Sequence, residues 1–212
     1  MIAMPIYKGS TKIGVIKKGS TNIKKVFKGA TLVFGKEVFE QTFTTSGSIT
    51  FPSSLLALTV IVVGAGGCGG QWILGKHGDW IGAGGGGAGG YAKKIFSIAE
   101  CNSIAGKTIS FSVGVIHLQA KGDDSSFMGV IAYGGQPGGP YSDSHGGVGG
   151  SATGGSENKT GASGTNGGYV VVGRGGPGWD INGTTYGDGG DSTQIAHDGS
   201  GKNGCVYIRY EY

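Results

Sequence analysis

Gly64, Gly66 and Gly69 stand at the spacing of a dinucleotide-binding fingerprint, directly after the hydrophobic run from Leu58 to Val63. In such a site a strand delivers the chain and glycines let the backbone approach a pyrophosphate. A helix then begins, and its first amides and dipole meet the phosphates. The helix is what this sequence lacks. Gly75, Gly78, Gly82 and the run Gly84 to Gly87 follow, and each glycine inside a helix costs about 1 kcal/mol relative to alanine. The acid that would hold a ribose is missing from the end of a second strand, and Asp79 falls inside the glycine-broken segment instead. The residues therefore argue against a dinucleotide enzyme. No Ser-His-Asp or paired-carboxylate spacing is visible, so no catalytic site is expected. His77, His117, His145 and His197 are scattered, and Asp188-Gly189-Gly190-Asp191 reads as a glycine turn before it reads as a calcium loop. No metal or cofactor is expected. Cys68, Cys101 and Cys205 are odd in number and far apart, which predicts reduced thiols. The sequons at Asn158 and Asn182 would carry no meaning in a bacterial cytoplasmic setting.

The remaining chemistry is recognition. Three insertions between glycine tracts concentrate aromatic and polar side chains. The first carries Trp72, Lys76, His77, Asp79 and Trp80, the second Tyr141, Asp143 and His145, and the third Trp179, Asp180, Asn182 and Tyr186. Rings beside amides and acids suit sugars or exposed protein loops, through stacking combined with hydrogen bonds. The competing reading is that each tryptophan covers the edge of a glycine stack.

These insertions need a scaffold, and the pattern predicts an all-β one. "KEVFEQTFTTSGSITFP" reads as two strands around a Ser46-Gly47 turn, and "LLALTVIVV" as a buried strand. "YAKKIFSI", "KTISFSVGVI", "SSFMGVIAY" and "GYVVVG" read as further strands. In the last strand, "GCVYIRYEY", Val206, Ile208, Tyr210 and Tyr212 share one face, and Cys205, Tyr207, Arg209 and Glu211 the other. No helix is expected; "AKKIFSIAECNSIAG" comes nearest, and its β-branched content counts against it.

Charge divides the chain. Residues 1–36 hold eight lysines and no acid, and the remainder holds nine basic residues against thirteen acids, within a net charge of +4. A uniformly basic nucleic-acid binder does not look like this, so no nucleic-acid partner is expected. The basic leader repeats every ten residues, as "IYKGSTKI", "IKKGSTNI" and "VFKGATLV". Turn-forming glycines between β-branched runs predict a meander of short strands, too small to bury a core alone. Residues 1–38 are thus one module and 39–212 a second. The lysines, among them Lys8, Lys17, Lys18, Lys24, Lys25 and Lys28, form either a solvated strand face or a docking surface for an acidic partner. The N-terminus shows no apolar signal-peptide core and no stretch is long and apolar enough for a membrane span.

Forty-three of the 49 glycines lie from Gly64 onward, in tracts that alternate with the hydrophobic runs. A flexible linker has no need of that alternation. Ordering a glycine costs roughly 0.5–1 kcal/mol more than ordering alanine, so a packing that only glycine permits must compensate. The extended left-handed helix with three residues per turn offers one. Its N–H and C=O groups point outward, and helices without side chains approach closely enough to bond to one another.

In this order, "GSITFP", "LTVIVVGAGG", "GGGGAGGYAKKIF", "ISFSVG", "SSFMGVIAYGG" and "GKNGCVYIRYEY" resemble the glycine-rich domain of tailed-bacteriophage tail-fibre proteins and tail-fibre tip adhesins, over roughly residues 39–212. The "KGST" repeats are similar, more loosely, to short repeats in virion proteins of gut phages. The resemblance implies a stack of polyglycine-II helices as a rigid platform. Loops between glycine motifs would touch a bacterial surface glycan or outer-membrane protein. The N-terminal module would join other virion proteins. The absence of a long trimeric shaft leaves open a homotrimer, attachment to a trimeric fibre, or a capsid head fibre or decoration protein.

Overall fold

A computed structural model describes residues 7–8, 11–12, 16–18, 21–23, 26–28, 31–34, 36–74, 78, 80–169, 171–193 and 199–212, with the backbone alone for residues up to 34 and for Trp80. The leader forms β1 (Tyr7–Lys8), β2 (Thr11–Lys12), β3 (Ile16–Lys18), β4 (Thr21–Ile23), β5 (Val26–Lys28) and β6 (Thr31–Phe34). They pair as three separate antiparallel ladders, not as the expected meander. Each unit of the repeat is divided across one ladder, setting Lys8 opposite Thr11, Lys18 opposite Thr21 and Lys28 opposite Thr31.

The rest of the chain is built on two five-stranded antiparallel sheets. Its strands are β7 (Val38–Phe43), β8 (Gly47–Thr50), β9 (Ala57–Val63), β10 (Ile73–Leu74), β11 (Trp80–Ile81), β12 (Tyr91–Phe96), β13 (Thr108–Ser112), β14 (Ser125–Phe127), β15 (Val130–Ala132), β16 (Ala152–Thr153), β17 (Glu157–Lys159), β18 (Trp179–Ile181), β19 (Thr184–Tyr186) and β20 (Cys205–Glu211). One sheet has the order β17-β12-β9-β20-β7 and the other β16-β15-β14-β13-β8. Their facing sides share one core, in which Leu58, Val60, Val62, Phe127, Val206 and Ile208 are fully buried. Burying such a side chain contributes roughly 1.5–3 kcal/mol. Phe51 locks the layers, meeting Phe127 and Tyr210 edge-on at 6.4 and 5.4 Å. The alternation read in the last strand is realised. Val206, Ile208 and Tyr210 enter this core, whereas Cys205 and Tyr207 enter a second cluster with Val63 and Ile181 on the outer face.

The two strands expected around Ser46 and Gly47 both form. β7 joins β20 and β8 joins β13, and two other expectations need correction. A helix exists, α1 (Ile98–Ile104), capped by Ser97, whose hydroxyl accepts from the Glu100 amide while the Glu100 carboxylate accepts from the Ser97 amide. This reciprocal cap and the burial of Cys101 and Ile104 outweigh the weak helix propensity of isoleucine. "GYVVVG" is not a strand of either sheet. It makes isolated bridges, Gly168 to Val171 and Tyr169 to Ile81, and Tyr169, Val171 and Val172 face solvent.

The glycine tracts stand on these sheets as extended segments that bond chiefly to one another. The amides of Gly64, Gly67 and Gly70 donate to the carbonyls of Gly90, Gly87 and Gly84 at 3.0, 2.8 and 2.8 Å. Those of Ala65 and Cys68 donate to Asp123 and Ala120, and those of Gly66 and Gly69 to Lys202 and Gly199. Successive residues thus point to three different neighbours and the pattern returns every third residue. Tract 82–90 is the centre. Its amides donate to tracts 133–139, 162–168 and 187–190, and its carbonyls accept from tracts 64–70, 147–150 and 173–176. Six neighbours surround it. Glycine is required here for approach rather than for an unusual φ, since of the residues of these seven tracts only Gly187 lies in the left-handed region. A Cβ on Gly86 would collide with the Gly67 carbonyl oxygen, and one on Gly89 with that of Gly64.

Candidate functional site

The direction of each tract decides which loops meet. Tracts 64–70, 82–90 and 133–139 join the sheets at residues 64, 90 and 133, so residues 70, 82 and 139 lie at the far end of the bundle. There the β10-β11 hairpin, the turn 140–145 and residues 168–172 converge. The Tyr141 amide donates to the Gln71 carbonyl at 3.2 Å, the Ser144 hydroxyl to the Gly82 carbonyl at 2.9 Å, and the Gly167 amide to the Ser144 carbonyl at 2.7 Å. Tyr169 bridges to Ile81, and the Trp72 amide donates to Thr193 at 3.1 Å. The loops are therefore fastened to the bundle and to one another.

The structure brings the first two predicted insertions together at this tip. Trp72 is half-buried and Tyr141 is exposed. His77 and Asp79 lie outside the described residues, as do Lys24 and Lys25 of the leader, and Trp80 is placed by its backbone opposite Leu74. Asp143 pairs with His145 through Oδ1 and Nδ1, which raises the histidine above its ordinary value. Leu74, Tyr169, Val171 and Val172, which the sequence did not single out, are 52%, 67%, 56% and 51% exposed and complete a solvent-facing apolar patch. Their signal was present: a β-branched run bounded by glycines, with no polar alternation, has no sheet face to bury.

The third insertion lies elsewhere. β18 and β19 form a hairpin at the sheet end of the bundle, folded over the outer face of the first sheet. Trp179 donates its indole N–H to the Gly89 carbonyl at 2.8 Å and packs on Tyr91 at 5.0 Å, with Lys159 over both rings. Tyr186 packs against the same outer cluster. Asp180 accepts from the Gly183 amide at 2.9 Å, and Asn182 takes the left-handed conformation of the two-residue turn. Here the covering role proposed for the tryptophans is the one observed.

The other polar clusters are structural. Asp191 accepts the Gly175 amide at 2.7 Å, and Asp188 accepts the Gly178 amide and pairs with Lys202 at 2.6 Å. These carboxylates satisfy amides at the edge of the bundle, in a depression of about 440 Å³. Among the described residues no group of three His, Cys, Asp or Glu side chains could hold a metal ion. Cys68, Cys101 and Cys205 are buried free thiols, and burial pushes Cys205 up to about 12.

The profile of the glycine-rich domain matches residues 42–193. The chain belongs to the glycine-rich domain family. A search of curated proteins finds no match. The matched span of the glycine-rich domain holds all seven of these tracts and the whole tip. The sheet beneath them is closed by β20, beyond residue 193.

Proposed function

We propose that this glycine-rich protein is a bacteriophage virion protein of a fibre or fibre tip that binds the host cell surface through loops displayed on a polyglycine-II platform. The three-residue return of the hydrogen bonds and the six neighbours of tract 82–90 support the polyglycine-II assignment. The observation that carries the binding role is the apolar patch at the tip. Leu74, Tyr141, Tyr169, Val171 and Val172 all face solvent there, although the chain has a core able to bury such residues. Exposed apolar groups gathered on loops of a fixed scaffold mark a surface that becomes covered in use. The leader, with Lys8, Lys17, Lys18, Lys24, Lys25 and Lys28, is the proposed anchor to other virion proteins.

Adsorption of purified protein to cells of the host tests the reading. Replacing Tyr169 with alanine should weaken adsorption roughly thirtyfold, as the loss of a contact aromatic contributing about 2 kcal/mol would. Its melting temperature should stay unchanged, because the side chain is exposed. Unmodified protein that fails to adsorb, but labels the capsid of intact particles, would overturn the adhesin reading in favour of a head fibre or decoration protein.

A further inference from the structure

Four described residues other than glycine take positive φ. Met128 and Asn182 begin two-residue hairpin turns completed by Gly129 and Gly183. The Ser144 hydroxyl donates to the carbonyls of Gly82 and Tyr141. Gln119, at φ 54°, is the second residue of the turn at Leu118–Gln119. Its side chain reaches only the Gln71 side-chain amide, a long contact of 3.5 Å. A chain with 49 glycines has the residue that relieves this conformation in abundance, yet it places a glutamine there. A glutamine kept where the turn would be relaxed by glycine points to a role for the side chain itself.

Gln119 stands on the rim of a groove of about 410 Å³ on the flank of the tip. Its floor is the backbone of residues 69–70 and 138–139, and Gln71, Pro137 and Pro140 complete the walls. Tyr141 follows Pro140 at one end and is 43% exposed. No charged side chain lines the groove. Its size falls within the roughly 300–1,000 Å³ of small-molecule sites. Two carboxamides can each donate and accept, which matches vicinal hydroxyls, and a tyrosine ring offers the face on which a sugar's C–H surface packs. A carboxylated or phosphorylated ligand would find no counter-charge. We propose that this groove binds a neutral saccharide through Gln71, Gln119 and Tyr141. The proposal rests on the tip being the receptor-facing end, and it names the glycan class that this end engages beside the apolar patch.

The test is a titration of the full chain with neutral glucose-, galactose- and mannose-containing oligosaccharides, followed by NMR, with a phosphorylated lipid-free core oligosaccharide in parallel. The expected result is a shift of the side-chain amide signals of Gln71 and Gln119 with a neutral sugar and not with the phosphorylated one. Gln119→Gly should bind about tenfold more weakly, while its melting temperature stays equal or rises because glycine accepts φ 54° without strain. Undiminished binding by Gln119→Gly, shifts confined to the Leu74 and Tyr169 surface, or no shift with any neutral sugar would overturn the proposal. Host-cell adsorption by the unmodified protein separates the two readings: adsorption without sugar binding defeats the groove alone, and sugar binding without adsorption defeats the receptor role alone.

Discussion

At the scale of the residue, absence of a side chain is the main structural instruction. Gly86 lies in the central tract, and a Cβ there would enter the space of the Gly67 carbonyl, which is backbone and held by the Gly190 amide. Gly86→Ala should therefore lower stability by roughly 3 kcal/mol or prevent folding, as overpacking against an immobile wall does. Gly47→Ala is the control. Its Cβ would meet only the Phe111 ring at 3.5 Å, an ordinary contact, so its denaturation midpoint should barely move. The Asp143–His145 pair makes a pH prediction. The Asp143 hydrogen bond and charge raise the histidine, so the pair's contribution is complete below the ordinary histidine range and is lost as pH rises through the raised value. An NMR titration should place His145 above an unperturbed histidine, and Asp143→Asn should bring it back down.

At the scale of the element, strands announced themselves and the helix did not. β9 was legible as a continuous β-branched run and β20 by its two-residue alternation. The helix signal was equally local, Ser97 with Glu100 three residues on, but the isoleucines around it obscured it. Ser97→Ala should cost about 1 kcal/mol in chemical denaturation. Glu100, hydrogen-bonded by Lys94 and then by Ser97, is held down at about 2, so its support is present above the ordinary carboxylate range and fades as pH falls toward that value. Trp179 looked like the tip residues in sequence, because an aromatic between glycines carries no mark of which end of the bundle it occupies. Only the tract directions assign it to the sheets. Trp179→Ala should lower stability by about 2 kcal/mol, reduced from the fully buried value because it is half exposed, and calorimetry should detect this irrespective of adsorption. The tracts share one three-residue rhythm, so their composition revealed a stack while their pairing stayed unreadable.

At the scale of the whole molecule, the tip and the lysine-rich leader belong to different parts of the chain, and the proposed roles divide the same way. Removing residues 1–36 should leave a domain with an unchanged melting transition that no longer enters particles, because the sheet core and the tract bonds all lie beyond residue 36. Particle composition after expression of the truncated chain checks this. The central position of tract 82–90 has a kinetic consequence. Its amides are held by segments that begin at residues 133, 162 and 187, so no fragment made of sequence neighbours protects them. Opening one peripheral tract would break a row of backbone bonds at once, with only water to replace them. The bundle should then have no partly open form worth populating. Gly84, Gly86 and Ala88, whose acceptors lie on three different tracts, should take up deuterium at one common rate, that of complete unfolding. The distant pairings also make the return slow, because the loops must close before any bond compensates them. Such a protein would be durable once assembled and unforgiving while it folds.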